Sequence, residues 1–281
     1  MKIGILGQGY VGTAIKIGFE PYYTNLNTFD KFLKEKSSVK NLEELVECSD
    51  IIFVCLPTPM KKTGECDISI VEEEIKKINQ YSNENKKVII KSTVPPGTTQ
   101  KINQNNEKIN IIFNPEFLTE LNFLEDFKNQ NRIILGGNLE GVNVVEKMYQ
   151  KVFQETPVIK TDSKTAEMVK YITNTFLATK VSFANEMKIL CDSIEIDYNE
   201  VIEYALYDQR LGSSHWAVPG PDGKFGFGGS CFPKDLQALI KFSELLGINM
   251  DVLKSVWETN LKIRSEKDWE KLKGRAVIND G

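Results

Sequence analysis

Short apolar runs closed by glycine, proline or a polar residue alternate with stretches of helical period up to Thr161. The first run, residues 2–6, leads into Gly7, Gly9 and Gly12, and a helical pattern follows through Ile15, Ile17 and Phe19. A second strand is predicted over 25–29, ending at Asp30, then a helix over 41–48. The run 50–59 is apolar almost throughout, as a parallel strand covered on both faces must be, and it stops at Pro57-Thr58-Pro59. A helix over 68–81, a strand over 87–92 ending in the turn Thr93–Thr99, and the strand IIFNPEFL with Asn114 and Glu116 at its carboxyl end follow. Residues 132–137 and 157–159 supply the last strands. Such alternation predicts an α/β fold, a doubly wound, Rossmann-like parallel sheet over residues 1–161 with its ligands at the carboxyl edge.

The pattern changes after Thr161. From Ser163, a candidate N-cap, to about Ile194 no glycine or proline interrupts a helical period. Its apolar positions, among them 169, 172, 176, 183 and 190, wrap widely around the helix. One side is expected against the first domain and another against the same helix of a second subunit, a homodimer through 163–194. Lys170 and Asn174, four apart, share one face. Shorter helices are expected over 197–206, 235–246 and 251–271, and LKGRAVINDG hints at a further strand. Residues 162–281 thus read as an all-helical domain built on one long helix.

Composition narrows the function. The 281 residues are 41% hydrophobic and 26% charged with a net charge of −4, which offers no electrostatic footprint for nucleic acid or an anionic membrane. No apolar run approaches the length of a spanning helix and KIGILG is no signal peptide, so a cytoplasmic protein is expected. Five cysteines without CxxC spacing argue against a disulfide framework and against a metal site. His215 is the sole histidine, which excludes a Ser-His-Asp or Cys-His device elsewhere.

Two stretches carry candidate chemistry. GQGYVG between a strand and a helix can bring a pyrophosphate onto a helix N-terminus, and Asp30 is placed for a ribose 2′-OH. The carboxylate favours NAD, while Lys31 beside it keeps NADP open. In GFGGSCFPKD, glycines 226, 228 and 229 allow close backbone approach to a ligand. Cys231 sits where a helix N-terminus favours a thiolate, the nucleophilic form.

Together GQGYVG, PTP, STVPPGTT, NPEFLTE, the VKYITNTFLATKVSFANE helix and GFGGSCFPKD resemble, in order and spacing, the signatures of the UDP-glucose/GDP-mannose dehydrogenase family. The resemblance implies NAD-dependent four-electron oxidation of a nucleotide sugar, UDP-glucose to UDP-glucuronate in the commonest case, a step of polysaccharide biosynthesis. It implies catalytic roles for Cys231, Lys170, Asn174, Asp235, Glu116 and Thr93, and cofactor contacts from Gly7, Gly9, Tyr10, Val11, Gly12, Asp30, Thr58 and Thr93. Substrate contacts are implied for Glu116, Phe117, Leu118, Lys170, Asn174, Phe227 and Gly228, with Arg210 reaching across a dimer interface. Three departures stand out: Leu121 replaces a usual glycine, the lid around His215–Lys224 is longer, and the sequence ends where the family's third domain normally begins. Trp216 and Lys224 are therefore expected to supply substrate contacts from the lid. Two other readings stay open, a nucleotide-sugar-binding protein without turnover and a two-electron 3-hydroxyacid dehydrogenase.

Overall fold

The computed structural model describes residues 1–83 and 85–279, and the chain folds into two compact units. The first comprises Met1–Thr58 and Ile68–Lys170; the second comprises Pro59–Asp67 and Tyr171–Gly281. By packing, the two units meet inside the long helix, and a short excursion after Pro57-Thr58 belongs to the second unit.

In the first unit the strands are β1 (Ile3–Leu6), β2 (Leu26–Phe29), β3 (Ile51–Val54), β4 (Lys86–Ile90), β5 (Ile109–Phe113), β6 (Ile133–Gly136) and β7 (Val158–Thr161). They form one sheet in the order β2-β1-β3-β4-β5-β6-β7. The connecting helices are α1 (Tyr10–Phe19), α2 (Leu42–Glu47), α3 (Ser69–Tyr81), α4 (Thr98–Gln104), α5 (Phe123–Lys128) and α6 (Leu139–Val152). Successive strand residues face opposite sides, so each central strand feeds two cores. Ile51 and Phe53 join Ile3, Ile5, Phe19 and Tyr149 in one, and Ile52 and Val54 join Leu45, Ile75, Val88 and Ile90 in the other. Strand order reverses at β1, whose neighbours are β2 and β3, so the glycine turn after β1 opens at the switch point.

The sheet is not wholly parallel. β5 and β6 pair antiparallel through Phe113 and Gly136, while β6 and β7 are parallel to each other. The reason lies in the connection: residues 114–132 carry only the six-residue α5, and the chain re-enters the sheet from the same carboxyl edge it left. Glu116, Phe117, Leu118 and Arg132 are thereby all kept at that edge.

The long helix α7 spans Ser163–Ser193. Ser163 is its first residue rather than its cap; Asp162 accepts the Thr165 N–H at 2.9 Å. In the second unit α8 (Tyr198–Ala205), α9 (Phe232–Leu245) and α10 (Asp251–Ile263) follow. The predicted last helix breaks after Ile263 and resumes as a 3-10 turn at Asp268–Lys271. The hinted terminal strand is reduced to isolated bridges of Val277 with Met60 and Lys273. Ala184, Cys191, Tyr198 and Val218 form a small core with Trp216 packed on it. Among the described residues no helix is long and apolar enough to cross a membrane.

Candidate functional site

The glycine turn of the first unit assigns a distinct task to each glycine. Gly7 has φ +90°, and a Cβ there would meet the Cys55 carbonyl oxygen at 2.4 Å; one on Gly12 would meet the Gly7 oxygen at 1.9 Å. Both are needed to close the turn. A Cβ on Gly9 would meet nothing within 4 Å, so this backbone faces open space at the start of α1, where Tyr10 and Val11 follow. Asp30, just past β2, accepts the N–H groups of Gln8 at 2.7 Å and of Phe32 and Leu33 at 2.8 Å. Burial opposes its charge, but those N–H groups and Lys36 hold the carboxyl below its ordinary value. Three of roughly four acceptor positions are then used, leaving one for a hydroxyl. An open glycine and an ionised carboxylate at the switch point fit a dinucleotide. Lys36, which donates to the Gln8 carbonyl at 3.2 Å, was not singled out in the sequence because the 3-10 turn returning it to Asp30 leaves no periodic trace.

Beyond β3 and β4 the strand ends are stitched together. Thr58 Oγ1 donates to the Thr93 carbonyl at 2.8 Å, and Ser92 Oγ donates to the Leu56 carbonyl at 2.7 Å. The turn that begins at Thr93 is anchored from α7: the fully buried Glu167 accepts the N–H groups of Gly97 at 2.5 Å and Thr99 at 2.8 Å. Burial pushes this carboxyl up, and the hydrogen bonds from Thr99 and Gly97 work against it. One turn further along α7, Lys170 donates to both the Glu116 carbonyl at 2.6 Å and its carboxylate at 3.0 Å. Burial alone would raise Glu116; Lys170, the Leu118 N–H and Lys91 keep it below the usual range. Phe117 lies between two cations, with the Arg132 guanidinium 4.2 Å and the Lys170 ammonium 5.5 Å from its ring centre. A cavity of about 300 Å³ is lined by Val11, Lys91, Glu116, Phe117, Leu118 and Arg132, among others.

The second unit gathers the other half of the expected residues. Cys231 occupies the N-cap position of α9, one turn earlier than the sequence pattern implied. Its neighbour Lys234 lies 2.5 Å from Asp235, and Asp235 accepts the Asn174 side-chain amide at 2.6 Å. Burial pulls the Lys234 ammonium down, yet Asp235, Cys231 and Cys66 outweigh it and hold it above its ordinary value. The loop carrying the thiol is pinned at its backbone. Gly226 N–H donates to Asn185 Oδ1 at 3.0 Å, Phe227 N–H to Asn260 Oδ1 at 2.7 Å, and Gly229 N–H to Asp268 Oδ2 at 3.0 Å. A Cβ on Gly228 would strike Asp268 Oδ1 at 2.3 Å, so glycine is required there by the loop's own support. Asn185, Asn260, Arg264 and Asp268 were missed in the sequence because their partners lie 33 to 41 residues away, or, for Arg264, 42.

Trp216, Lys224 and Arg210 each hold a partner within the second unit. Trp216 donates its indole N–H to the Gly212 carbonyl at 2.8 Å, with the Lys180 ammonium 4.9 Å from its ring centre. Lys224 pairs with Glu266 at 2.5 Å, and the exposed Arg210 pairs with Asp208. His215 instead has φ +68° and a buried Nδ1 without a hydrogen-bond partner, its ring 5.7 Å from that of Phe232. Burial, then Lys180, keep this imidazole below its ordinary value. Among the described residues no cluster of His, Cys, Asp and Glu has the form of a metal centre.

Comparison with known proteins adds to this geometry. Residues 23–155 match the model of the NAD binding domain of the UDP-glucose/GDP-mannose dehydrogenase family, and residues 164–262 match the model of its central domain. The UDP-glucose 6-dehydrogenase TuaD of Bacillus subtilis is 32% identical over 94% of this chain and 63% of its own length. A UDP-glucose 6-dehydrogenase of Rickettsia bellii is 39% identical over 92% of this chain and 67% of its own. The solved UDP-glucose dehydrogenase of Pyrobaculum islandicum superposes with a TM-score of 0.83 at 31% identity, covering 92% of this chain and 67% of that one. The chain thus spans about two thirds of the length of these relatives.

Proposed function

As the chain belongs to the UDP-glucose/GDP-mannose dehydrogenase family, its two matched domains covering most of its length, we propose that it oxidises a nucleotide sugar, UDP-glucose before others, with NAD. The observation that carries the reading is Cys231 at the N-cap of α9, on a loop anchored by Asn185, Asn260 and Asp268, with Lys234 and Asp235 in the following turn. A helix N-terminus and an adjacent ammonium both favour the thiolate.

The reaction is R–CH₂OH + 2 NAD⁺ + H₂O → R–COO⁻ + 2 NADH + 3 H⁺. NAD, when bound, accepts one hydride in each of the two oxidations. Gly9 admits its pyrophosphate and Asp30 takes a ribose hydroxyl. The Cys231 thiolate adds to the C6 aldehyde, forming a C–S bond and an alkoxide, so the aldehyde is retained. Loss of the second hydride from that carbon leaves a thioester, and water then displaces the sulfur. Lys170 and Asn174, on successive turns of one face of α7, are the donors for oxygen at C6, while Glu116 and Asp235 are the carboxylates that move protons. Glu116 is held ionised, which suits a base, and Thr93 orients the hydrolytic water. Phe117 and Leu118 present backbone to the sugar diphosphate.

Incubation with NAD and a panel of nucleotide sugars, followed at the absorbance of the reduced cofactor, tests this. Two NADH per UDP-glucose consumed are expected; a ratio of one would refute the thioester route, and no reduction with any sugar would refute the activity.

Self-association through α7 is part of the same proposal. Ile172, Phe176, Phe183 and Leu190, spaced three or four residues or a near multiple apart, are 49 to 62% exposed, an unusual load of apolar surface for one helix. Arg210 would reach the partner's substrate. Replacement of Phe176 and Phe183 by Asp is expected to convert a dimer to a monomer in sedimentation velocity, and an unchanged mass would exclude this interface.

A further inference from the structure

Lys91 is a charge that the proposed reaction leaves unused. It stands just beyond β4, only 6% exposed, where an unpaired ammonium is costly to bury. Its Nζ donates to Asn114 Oδ1 at 2.9 Å and to the Pro115 carbonyl at 3.3 Å, the two residues immediately before Glu116. Asn114 is itself held on both sides: Tyr149 OH donates to its Oδ1 at 2.5 Å, and its Nδ2 donates to the Ile134 carbonyl at 2.8 Å. The ammonium is therefore fixed by neutral acceptors and lines the cavity that Glu116 also lines. A methionine would fill such a position without the desolvation penalty, so the charge requires a reason.

We propose that Lys91 is a positioning residue for Glu116: held by Asn114 and Pro115, its ammonium is the second counter-charge, beside Lys170, of the Glu116 carboxylate. The inference rests on the assignment of Glu116 as a proton-moving group. The charged and titratable groups around Lys91 come from four elements, Cys55 after β3, Glu116 after β5, Tyr149 on α6 and Lys170 on α7. Burial brings the Lys91 amine down to about 8, with Cys55 and Glu116 opposing that fall and Lys170 adding to it. Burial pushes the Cys55 thiol up to about 12 and raises the Tyr149 phenol, which leaves Glu116 as the one anion among these four groups at neutral pH.

The folded chain releases the Lys91 proton near pH 8, and the unfolded chain releases it near the ordinary lysine value of about 10.4. Between those values the unfolded state binds more protons, so this residue adds stability as pH rises through the window. Removing the charge raises the Glu116 carboxyl, so the acid limb of the kcat profile must move upward.

Two variants separate charge from hydrogen bonding. Lys91→Met removes both, whereas Lys91→Gln keeps N–H donors for Asn114 and Pro115 without the charge. Both are expected to shift the acid limb of kcat up by about one pH unit, a roughly tenfold loss of kcat on its acid side, with KM for sugar and NAD within about twofold. A Lys91→Gln profile that coincides with wild type overturns the proposal, since hydrogen bonding alone would then suffice. Wild-type protein supplies a measurement independent of turnover and of variant folding: competitive acetylation by acetic anhydride across pH, read by peptide mass spectrometry. A midpoint for Lys91 near 8 or above leaves the amine charged at neutral pH and supports the counter-charge, and one below about 7 overturns it even if no sugar is oxidised.

Discussion

Cys231→Ser is expected to reduce uronate formation by on the order of 10³-fold or more, because the thiol acts as a unit with its neighbours and its loss removes the covalent route. A serine hydroxyl is scarcely ionised near neutral pH, so addition to the aldehyde is slow and an oxygen ester would replace the thioester. The loss should be chemical and not structural. Residue 231 starts α9 in helical backbone without a side-chain capping bond, and serine is close to cysteine in size, so the thermal midpoint is expected to hold. Parallel measurement of NADH stoichiometry and melting decides the matter: full two-NADH turnover by the variant would remove Cys231 from the mechanism, and a collapsed melting temperature would make it a structural residue.

The largest effect on stability is expected at Arg264, whose side chain is 2% exposed and binds Asp268 at 2.9 Å and Asp222 at 2.6 Å. It also donates to the Phe225 carbonyl at 3.3 Å, and Asp268 in turn holds the Gly229 N–H. Arg264→Met removes the buried member of a pair whose other member, Asp268, is 30% exposed, and leaves that carboxylate without its counter-charge. A loss of about 2 to 3 kcal/mol is expected from the charge-assisted hydrogen bonds removed, which lowers the melting temperature by roughly 5 to 10 °C. Asp222 is 45% exposed, so Asp222→Asn should cost no more than about 1 kcal/mol. Equal losses in the two variants would contradict an account based on burial. Because the thiol loop hangs from Asp268, Arg264→Met should also disorder Cys231, measurable as a changed rate of alkylation by iodoacetamide.

The candidate residues that local spacing makes legible are those whose partners lie nearby in the chain. The glycines of GQGYVG, the carboxylate at the end of the second strand, and a cysteine ahead of a helix each depend on residues within a few positions of one another. Elements with strong period were likewise predictable, including β1, β3, α3 and α7. Three features were not. The antiparallel entry of β6 depends on how the chain returns from α5, and its apolar run Ile133–Gly136 has no direction written in it. The unit boundary inside α7 depends on which residues pack where, since one unbroken helix carries residues of both units. The cap of that helix is Asp162 and not Ser163 because side-chain direction, not residue type alone, chooses between adjacent candidates.

By itself, then, the amino-acid order determined the alternation of strands and helices, the turn that fits a pyrophosphate, and the thiol at a helix start, all set by short-range sterics and periodicity. Only the tertiary structure decided which charges meet. Glu167 on the turn of Thr93, Lys170 on Glu116, Lys91 on Asn114 two residues before it, Asn174 on Asp235, and Arg264 on Asp222 join residues 23 to 70 positions apart. A buried charge is tolerated only where a partner arrives in space, and no spacing along the chain encodes that arrival.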